Sequence, residues 1–519
     1  MKSRFDVAVL GSGFAGSLMA MIAQRLGKSV VLIERAKHPR FAIGESSTPL
    51  ANLLLEELAA KYDLPGVASF SKWGTWQRDH PEVAGGLKRG FTFCHHFLDE
   101  PFQPDESHRN ELLVAASPNA EIADTHWHRA EIDHWFAKQA QDCGVEFLEE
   151  TSLSEVRFSA GGAGLTLKAG EKMIDLTATF VLDATGPRGA LVRALELPEA
   201  PFEKLPGTQG LYSHFKGVRR WDELFPPTER PPYPPDDAAL HHVFPGGWIW
   251  VLRFNNGITS AGAAVTDSLA SELQLQDGAP AWDRLLRHLP SIHEQFESVQ
   301  AVLPFQVQPR LSFLSGYVTG PQWALLPSAA GFVDPLLSTG FPLTLLGVMR
   351  MAELIEQHWG AADWRDQLFE YSVQTTTELV LVSRLVAALY ATMDDFELFS
   401  ALTLLYFAAA TFTETARRLG KPELAGKSFL LADNPLFGLR ARYCIDRVLQ
   451  SRQELSHSPA REIFLDRIRE TIEPIDVAGL SARGRRNWFP VNADDLRNNR
   501  QKVGATAEEI EDLLRRVGF

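Results

Sequence analysis

The chain has 519 residues, of which 45% are hydrophobic and 22% are charged, and its formal net charge is −14. This length predicts one large α/β domain with additions, or two to three domains. The acidic balance argues against non-specific nucleic-acid binding and against docking on anionic membranes. Three widely spaced cysteines, Cys94, Cys143 and Cys444, suggest neither a disulfide framework nor a metal-binding pair. We therefore expect a cytoplasmic protein without a metal site.

The N-terminal residues have the pattern of a strand, a glycine turn, a helix and a second strand. FDVAVL is followed by GSGFAG, by the helical pattern SLMAMIAQRLG and by SVVLIE, which ends in Glu34. Gly11, Gly13 and Gly16 let the backbone approach a pyrophosphate, and Glu34 accepts hydrogen bonds from the ribose. In this context the GxGxxG pattern predicts a dinucleotide site, which also includes Phe14 and Ala15.

The rest of the chain divides into regions of different composition. Residues 1–200, together with 301–355, are predicted to form a Rossmann-type dinucleotide-binding domain. Residues 201–300 are β-rich and form the substrate side, and they contain a proline-rich surface loop at residues 226–235. Residues 356–519 are predicted to be mostly helical.

A charge-free stretch lies in this last region, from Leu398 to Thr413. It is shorter than the ~20 residues that a membrane-spanning helix needs. We therefore expect a buried helix and no membrane association.

Two segments indicate FAD rather than NAD. VLDATGPRGAL (residues 181–191) resembles the second glycine turn of flavin monooxygenases, and SAAGFVDPLLSTG (residues 328–340) resembles their aspartate segment. By this resemblance Asp334 binds the ribityl chain, and Arg129 belongs to an element that packs on the flavin. The chain contains one GxGxxG pattern and no second one for NADPH. A bound NAD as the sole redox partner is the alternative.

Four stretches resemble the flavin-dependent halogenases, and most closely their phenolic-substrate branch. FAIGESSTPL (residues 41–50) is similar to the flavin-gating loop, and DPLLSTG (residues 334–340) is similar to the halide loop. GWIWVLRF resembles the W-x-W-x-I-P signature, and GGLKRGFTFCHH contains the counterpart of the family's essential lysine, Lys88. The resemblance covers residues 3 to about 355. It implies an α/β fold of the flavin monooxygenase type with a β-rich substrate region and a helical C-terminal part.

The resemblance also implies a reaction and its partners. Reduced FAD and O2 oxidise chloride or bromide to hypohalous acid, which travels inside the protein to a small aromatic substrate. Ile43, Gly44 and Ser47 are expected to contact FAD, and Thr339 and Gly340 are expected to bind the halide at a helix N-terminus. Lys88 either holds hypohalous acid as an ammonium group or forms a chloramine as a neutral amine. A separate NAD(P)H-dependent flavin reductase supplies FADH2.

Trp248 and Trp250 are two residues apart in a strand and therefore point to the same face. They form either ordinary core packing or a wall that keeps the oxidant away from water. The signature is imperfect, because Arg253 stands at its proline position. This difference keeps open a flavin-dependent hydroxylase or dehydrogenase without halide chemistry, and a flavin-binding protein without turnover is a further alternative.

The halide loop also bears on the substrate. In the halogenases of free tryptophan, the residue before Ser-Thr in this loop is a glutamate, whereas this chain has Leu337. We therefore expect a phenol, whose own hydroxyl stabilises the cationic ring intermediate. His95, His96 and Glu100 are candidate bases only because they are near Lys88 in the sequence.

Overall fold

The computed structural model describes residues 2–456 and 459–519. The strands, in chain order, are β1 (Arg4–Leu10), β2 (Val30–Ile33), β3 (Gly85–Lys88), β4 (Gly90–His95), β5 (Glu111–Ala115), β6 (Asp124–Trp127), β7 (Glu146–Leu148), β8 (Thr151–Ser159), β9 (Gly162–Ala169), β10 (Lys172–Asp183), β11 (Thr208–Lys216), β12 (Ala239–Phe244), β13 (Gly247–Arg253), β14 (Thr259–Thr266), β15 (Gln300–Ala301), β16 (Gln306–Gln308), β17 (Phe313–Leu314), β18 (Thr319–Gly320), β19 (Trp323–Leu325), β20 (Gly331–Phe332) and β21 (Trp488–Phe489).

The α-helices, in the same order, are α1 (Phe14–Arg25), α2 (Pro49–Lys61), α3 (Pro65–Ala68), α4 (Trp73–Asp79), α5 (Arg129–Asp142), α6 (Ala190–Ala194), α7 (Trp221–Leu224), α8 (Asp267–Glu272), α9 (Ala279–Arg287), α10 (Pro290–Gln295), α11 (Pro327–Ala330), α12 (Gly340–His358), α13 (Trp364–Tyr390), α14 (Phe396–Arg418), α15 (Gly438–Ser451), α16 (Ala460–Ile472), α17 (Ala493–Asn499) and α18 (Ala507–Arg516).

The first sheet contains the predicted N-terminal strand–turn–helix–strand unit. Its strand order is β18-β19-β10-β1-β2-β7, and β1 runs parallel to both β2 and β10. Strand β2 is buried along its whole length, as expected for a parallel strand covered on both faces. β19, from the 301–355 region, also joins this sheet, beside β10. The carboxyl ends of the parallel strands therefore meet at the glycine turn, where ligands of such sheets bind.

The second sheet has the order β15-β11-β14-β13-β12-β4-β5-β21, with β16 also paired to β11. This sheet extends beyond the predicted limits of 201–300, because β4 and β5 come from the N-terminal region and β21 comes from the C-terminal region. Strand β12 pairs with β4, and β5 pairs with β21, both in parallel. Such pairings join segments far apart in the chain, and local sequence patterns do not reveal them. Strands of the two sheets therefore alternate along the chain.

The C-terminal region is mostly helical, as predicted, and packs against the first part of the chain. Helix α14 includes the charge-free stretch and contacts α2 and α16. By length and composition alone it is long and apolar enough to cross a membrane, but 67% of its most apolar stretch is buried inside the protein. This burial supports the expectation of a core helix.

Candidate active site

The glycine turn has the shape that a pyrophosphate needs. Gly11 has a φ of +92°, and a Cβ atom there would lie 2.8 Å from the carbonyl oxygen of Ala184. A Cβ atom on Gly16 would lie 1.9 Å from the carbonyl oxygen of Gly11, so both positions require glycine. Gly13 caps α1 without a side-chain hydrogen bond of its own, and the first N–H of the helix, that of Phe14, is donated to Asp133 Oδ1 at 3.1 Å. These residues fit the nucleotide of FAD.

Glu34 follows β2 beside this turn and is 5% exposed. Its Oε2 accepts hydrogen bonds from the backbone N–H and the hydroxyl of Ser12, at 3.1 and 3.0 Å, and from Arg40 at 3.2 Å. Burial raises its pKa, but Arg40 and the hydrogen bonds from Ala36 and Ser12 outweigh burial, so the pKa lies below its ordinary value. Glu34 is therefore an anion at neutral pH, as a ribose acceptor must be. Its contact with the ribose stays a prediction.

Arg129 connects the predicted flavin-gating loop to the glycine turn. Its Nη1 donates to the carbonyl oxygens of Ile43 and Gly44, at 3.0 and 2.9 Å. Its Nε donates to Oδ1 of Asp133 at 2.9 Å, and the same oxygen accepts the N–H of Phe14 at 3.1 Å. Asp133 belongs with Arg129 to the segment that resembles the flavin-packing element, but nothing in the sequence indicates its contact with Phe14, 119 residues away. The structure thus brings together four of the predicted cofactor-binding residues.

Lys88 is completely buried at the end of β3. Its Nζ donates to the hydroxyl of Ser46 at 2.9 Å and to the carbonyl oxygen of Ser47 at 2.5 Å. The same nitrogen lies 3.7 Å from the ring centroid of Phe91. Ser47, itself buried, donates its hydroxyl proton to the carbonyl oxygen of Thr125 at 2.8 Å. Lys88 is therefore held directly against the predicted flavin-gating loop.

The sequence did not identify Asp124, which pairs directly with Lys88 between the antiparallel strands β3 and β6. Directly paired residues of antiparallel strands project from the same face. Burial lowers the pKa of Lys88 and raises the pKa of Asp124, and the attraction between the two groups opposes both shifts. Asp124 Oδ1 accepts a hydrogen bond from Asn52 at 2.8 Å, whereas Oδ2 has no hydrogen-bond partner. In the sequence Asp124 is one polar residue in the short segment DTHW, and no spacing relates it to Lys88.

A cavity of ≈160 Å³ lies beside Asp124 and Asn52. Helix α14 contributes Glu414 and Arg418 to its wall, and the C-terminal region contributes mainly apolar side chains, such as Phe489. Sequence reasoning did not anticipate this cavity, because its walls come from four distant parts of the chain.

The predicted halide loop immediately precedes α12. Thr339 is the N-cap residue of this helix and is buried, and it makes no side-chain capping bond. A Cβ atom on Gly340 would meet no atom within 4 Å, so open space lies beside it. Leu337 and Ser338 have φ angles of 66° and 54°, an uncommon conformation for residues other than glycine. The loop thus presents a helix N-terminus as predicted, and halide binding there stays a prediction.

Asp334 is the first residue of this loop and is buried within the protein. Its Oδ1 accepts the N–H of Leu336 at 3.0 Å, and its Oδ2 accepts the hydroxyl of Tyr390 at 2.8 Å. Burial raises its pKa to about 6. Protein donors therefore engage both oxygens of this carboxyl group, which holds the first turn of the predicted halide loop in place. The predicted contact with the ribityl chain stays a prediction.

The two tryptophans of the signature pack side by side as predicted. Trp248 and Trp250 are 1% and 6% exposed, and their ring centroids are 5.6 Å apart. Both belong to the large core that contains the first sheet, whereas Ile249 and Val251 point to the other face, into a second core. Trp250 donates to the hydroxyl of Ser260 at 3.3 Å. They thus form one buried wall on the face of the second sheet that packs into the large core.

Arg253, at the proline position of the signature, ends β13 and pairs with a buried carboxylate. Its Nε donates to Oδ1 of Asp236 at 2.9 Å, and its Nη1 donates to the carbonyl oxygen of Val218 at 2.9 Å. Asp236 follows the proline-rich loop. Arginine at this position therefore attaches the loop to the end of the strand.

The candidate bases near Lys88 in the sequence have other partners. His95 makes a hydrogen bond with the carbonyl oxygen of Met393 at 3.0 Å, and His96 makes one with His242 at 2.9 Å. Burial lowers the pKa of both imidazoles. Glu100 follows β4 in an exposed turn. Within residues 2–456 and 459–519, no group of three or more His, Cys, Asp or Glu residues has the arrangement of a metal site.

Comparisons with known proteins identify the family and the fold. The profile of a family described as FAD dependent oxidoreductase matches residues 6–320. The chain is 28% identical over 406 residues to the monodechloroaminopyrrolnitrin halogenase PrnC of Pseudomonas fluorescens, covering 77% of this chain and 70% of the relative. It is 27% identical over 397 residues to the tetracycline 7-halogenase of Kitasatospora aureofaciens, covering 71% and 69%.

A solved structure has the same fold over nearly the whole chain. It is that of halogenase PltM in complex with phloroglucinol and FAD, with a TM-score of 0.81 and 23% identity, covering 93% of this chain and 99% of that one. This similarity confirms the predicted α/β fold, with its Rossmann-type FAD-binding part and its helical C-terminal part.

Proposed function

The chain belongs to the FAD-dependent oxidoreductase family, and from this premise we propose that it uses FADH2 and O2 to halogenate a small phenolic substrate with chloride or bromide. One observation carries the proposal: Lys88 is completely buried, and its Nζ contacts the predicted flavin-gating loop. Relatives that cover more than two thirds of the chain are named halogenases, and they support the same reaction.

FAD would be held by the glycine turn, by Glu34 and by the loop that Arg129 fixes. Bound reduced FAD supplies, with O2, the oxidation of halide to hypohalous acid. The glycine positions fit the nucleotide because a Cβ atom would obstruct them. Phe14 stacks on Phe341, with ring centroids 4.9 Å apart, and this pair joins the glycine turn to the first turn of α12. The halide loop and the nucleotide turn are therefore neighbours.

The halide would bind at the N-terminus of α12. The uncapped backbone N–H groups after Thr339 and the open space at Gly340 suit a small anion. The helix dipole adds partial positive charge there. Asp334, which accepts the N–H of Leu336, holds the preceding turn in place.

Lys88 would bind and orient the hypohalous acid. Its Nζ donates to Ser46 and Ser47, and an ammonium group can donate a third hydrogen bond to the oxidant. Trp248 and Trp250 would exclude water from the interior, because they form a buried wall beside His241. Loss of the oxidant to bulk water is thereby limited.

The partners follow from the same reaction. A separate NAD(P)H-dependent reductase would deliver FADH2, since the sequence shows one dinucleotide fingerprint. The reaction would take place in the cytoplasm, where the three cysteines remain reduced; all three are free thiols in the structure.

A turnover assay tests this function. The chain is mixed with a flavin reductase, NADH, FAD, bromide and a mixture of phenols and indoles, and the products are analysed by mass spectrometry. We expect a brominated phenol with the wild-type chain and none with Lys88→Met, which keeps the side-chain length but removes the charge. Hydroxylated products without bromine would contradict halogenation and would indicate a flavin-dependent hydroxylase.

A further inference from the structure

His214, on strand β11, joins the second sheet to the predicted flavin-gating loop. Its Nε2 makes a hydrogen bond with Oε1 of Glu45 at 2.8 Å, and its ring meets the ring of Phe41 edge-on, with centroids 5.1 Å apart. Glu45 and His214 are 2% and 4% exposed. His214 therefore contacts the loop at two points, one on each side of the exposed residues Ile43 and Gly44.

The two parts of the loop are attached to the protein in different ways. The C-terminal part is tied to strand β6 by its backbone, because Glu45 accepts the N–H of Trp127 at 2.6 Å and Ser47 donates its N–H to Thr125 at 3.2 Å. In the N-terminal part, two successive carbonyl oxygens accept hydrogen bonds from the side chain of Arg129. The N-terminal part can therefore move without breaking a strand pairing.

The carboxyl group of Glu45, where the two parts meet, depends on His214. Among residues 2–456 and 459–519, His214 is its one hydrogen-bond partner, and Oε2 has none. A buried carboxyl group costs free energy unless hydrogen bonds replace those it made with water. Without His214, the loop would regain that free energy by moving Glu45 outward into water. Because a loop opens more easily than a sheet, loss of His214 should displace the loop and leave the sheets in place.

The same loop is connected to the predicted nucleotide site through Arg129. The guanidinium group that holds the loop at Gly44 also lies against the glycine turn, since a Cβ atom on Gly13 would lie 3.4 Å from its Nη2. A displacement of the loop therefore reaches the nucleotide site through one side chain.

We propose that His214 is a positioning residue that holds the predicted flavin-gating loop in place and thereby sets the rate at which FAD exchanges. It acts through Glu45 and Phe41 and does not touch the reacting atoms. The inference rests on the proposed function, because a chain that receives FADH2 from a separate reductase must exchange its flavin between turnovers. His214 adds to that function a control on how long the flavin stays bound.

The variant His214→Ala tests this role. The FAD-loaded chain, with oxidised flavin and without halide or substrate, is diluted, and the recovery of FAD fluorescence gives the dissociation rate. We expect FAD to dissociate about 10-fold faster from His214→Ala, the effect of one buried hydrogen bond. His214→Gln should give an intermediate rate, since its amide can still donate to Glu45. The matched control is His288→Ala, which removes an exposed hydrogen bond to Asp99 of the same length, 2.8 Å, and should leave the rate unchanged.

A double variant distinguishes positioning through Glu45 from a general loss of packing. Glutamine at position 45 carries no charge, so its burial without a partner costs less than that of a carboxylate. In the Glu45→Gln chain, we therefore expect His214→Ala to change the dissociation rate by less than about threefold. An equal factor in the wild-type and Glu45→Gln chains would overturn the proposal, because His214 would then act independently of Glu45.

A further measurement uses the wild-type chain and does not depend on any variant folding. In a crystal of the FAD-loaded chain, we expect Glu45 Oε1 and His214 Nε2 to lie about 2.7–3.2 Å apart. A structure in which Glu45 points away from His214 would overturn the proposal, as would a dissociation rate from His214→Ala within about twofold of wild type. No halide enters these measurements. A chain that binds FAD but forms no hypobromous acid would contradict the proposed function, and the dissociation rates would still decide the role of His214.

Discussion

Lys88 donates a hydrogen bond from Nζ to the carbonyl oxygen of Ser47, 2.5 Å away. This bond joins strand β3 to the loop at residues 41–50, whose other end is held by Arg129 at Gly44. In the sequence, the segment that contains Lys88 and the predicted flavin-gating loop are separate motifs. In the structure they are in direct contact. A change at Lys88 should affect the fate of the oxidant, whereas most of the contacts expected for the nucleotide lie away from Lys88, at the glycine turn and at Glu34.

We expect Lys88→Met or Lys88→Ala to abolish halogenation and to leave FAD affinity nearly unchanged. A positioned group of this kind contributes ~10²-fold or more to the rate. The measurements are product formation by mass spectrometry and FAD binding by fluorescence quenching. Halogenation above about a tenth of the wild-type rate would remove Lys88 from the catalytic machinery.

The chain should not reduce its own flavin with NADH or NADPH. The sequence contains one GxGxxG turn, and we expect FAD to occupy it, so a nicotinamide would lack a comparable fingerprint. Anaerobic stopped-flow mixing of the FAD-loaded chain with NADPH should leave the flavin absorbance unchanged on the timescale of turnover. Bleaching at about 1 s⁻¹ or faster would contradict the need for a separate reductase.

Substrate choice should favour a phenol over tryptophan. Leu337 is completely buried in the predicted halide loop and can neither take up a proton nor stabilise a cation. A phenol stabilises the cationic ring intermediate through its own hydroxyl. In a competition between equal concentrations of tryptophan and a resorcinol-type phenol, we expect the phenol to carry nearly all of the halogen. Preferential halogenation of tryptophan would contradict this reading of Leu337.

Arg253→Ala should destabilise the fold by roughly 3 kcal/mol, because it leaves a buried carboxylate without its ion pair. The side chain of Asp236 is completely buried, and the Arg253 guanidinium lies 2.8 Å from it. Thermal unfolding of Arg253→Ala, Asp236→Asn and the double variant measures the coupling free energy between the two side chains. The double variant should recover part of the loss, and strictly additive effects would show that the pair is not coupled.

The stability of the chain should depend on pH through Asp334. Burial raises its pKa to about 6, above the ordinary value of 3.8. A carboxyl group whose pKa is higher in the folded chain than in the unfolded one stabilises the fold while it is protonated. This contribution to the free energy of unfolding is complete below the unfolded pKa, and it falls by roughly 3 kcal/mol in total as the pH rises through about 6.

The variant Asp334→Asn isolates this contribution because it cannot ionise. The difference in free energy of unfolding, wild type minus variant, should therefore decrease between about pH 4 and pH 7 and then level off. Denaturant titrations at several pH values, with FAD in excess, measure it. A difference that stays constant over this range would show that Asp334 ionises as readily in the folded chain as in the unfolded one.

The sequence by itself determined the features that follow from residue spacing over a few neighbouring positions. The GxGxxG turn between two apolar strands predicted the glycine positions, and the structure confirms their backbone geometry at Gly11 and Gly16. Alternation along β13 predicted a shared face for Trp248 and Trp250, which are neighbours in one core. The charge-free stretch in α14 predicted a core helix. Each of these depends on the spacing of residues within one strand, turn or helix.

Only the tertiary structure decided which distant residues meet. Asp124 looks like an ordinary acidic residue in the sequence, and it becomes the neighbour of Lys88 only when β6 pairs with β3. Strands β4, β5 and β21 enter the second sheet through pairings that no local pattern predicts. Burial is also a property of the assembled chain. It lowers the pKa of Lys88 and raises the pKa of Asp124, because desolvation acts only once helices and sheets enclose both side chains.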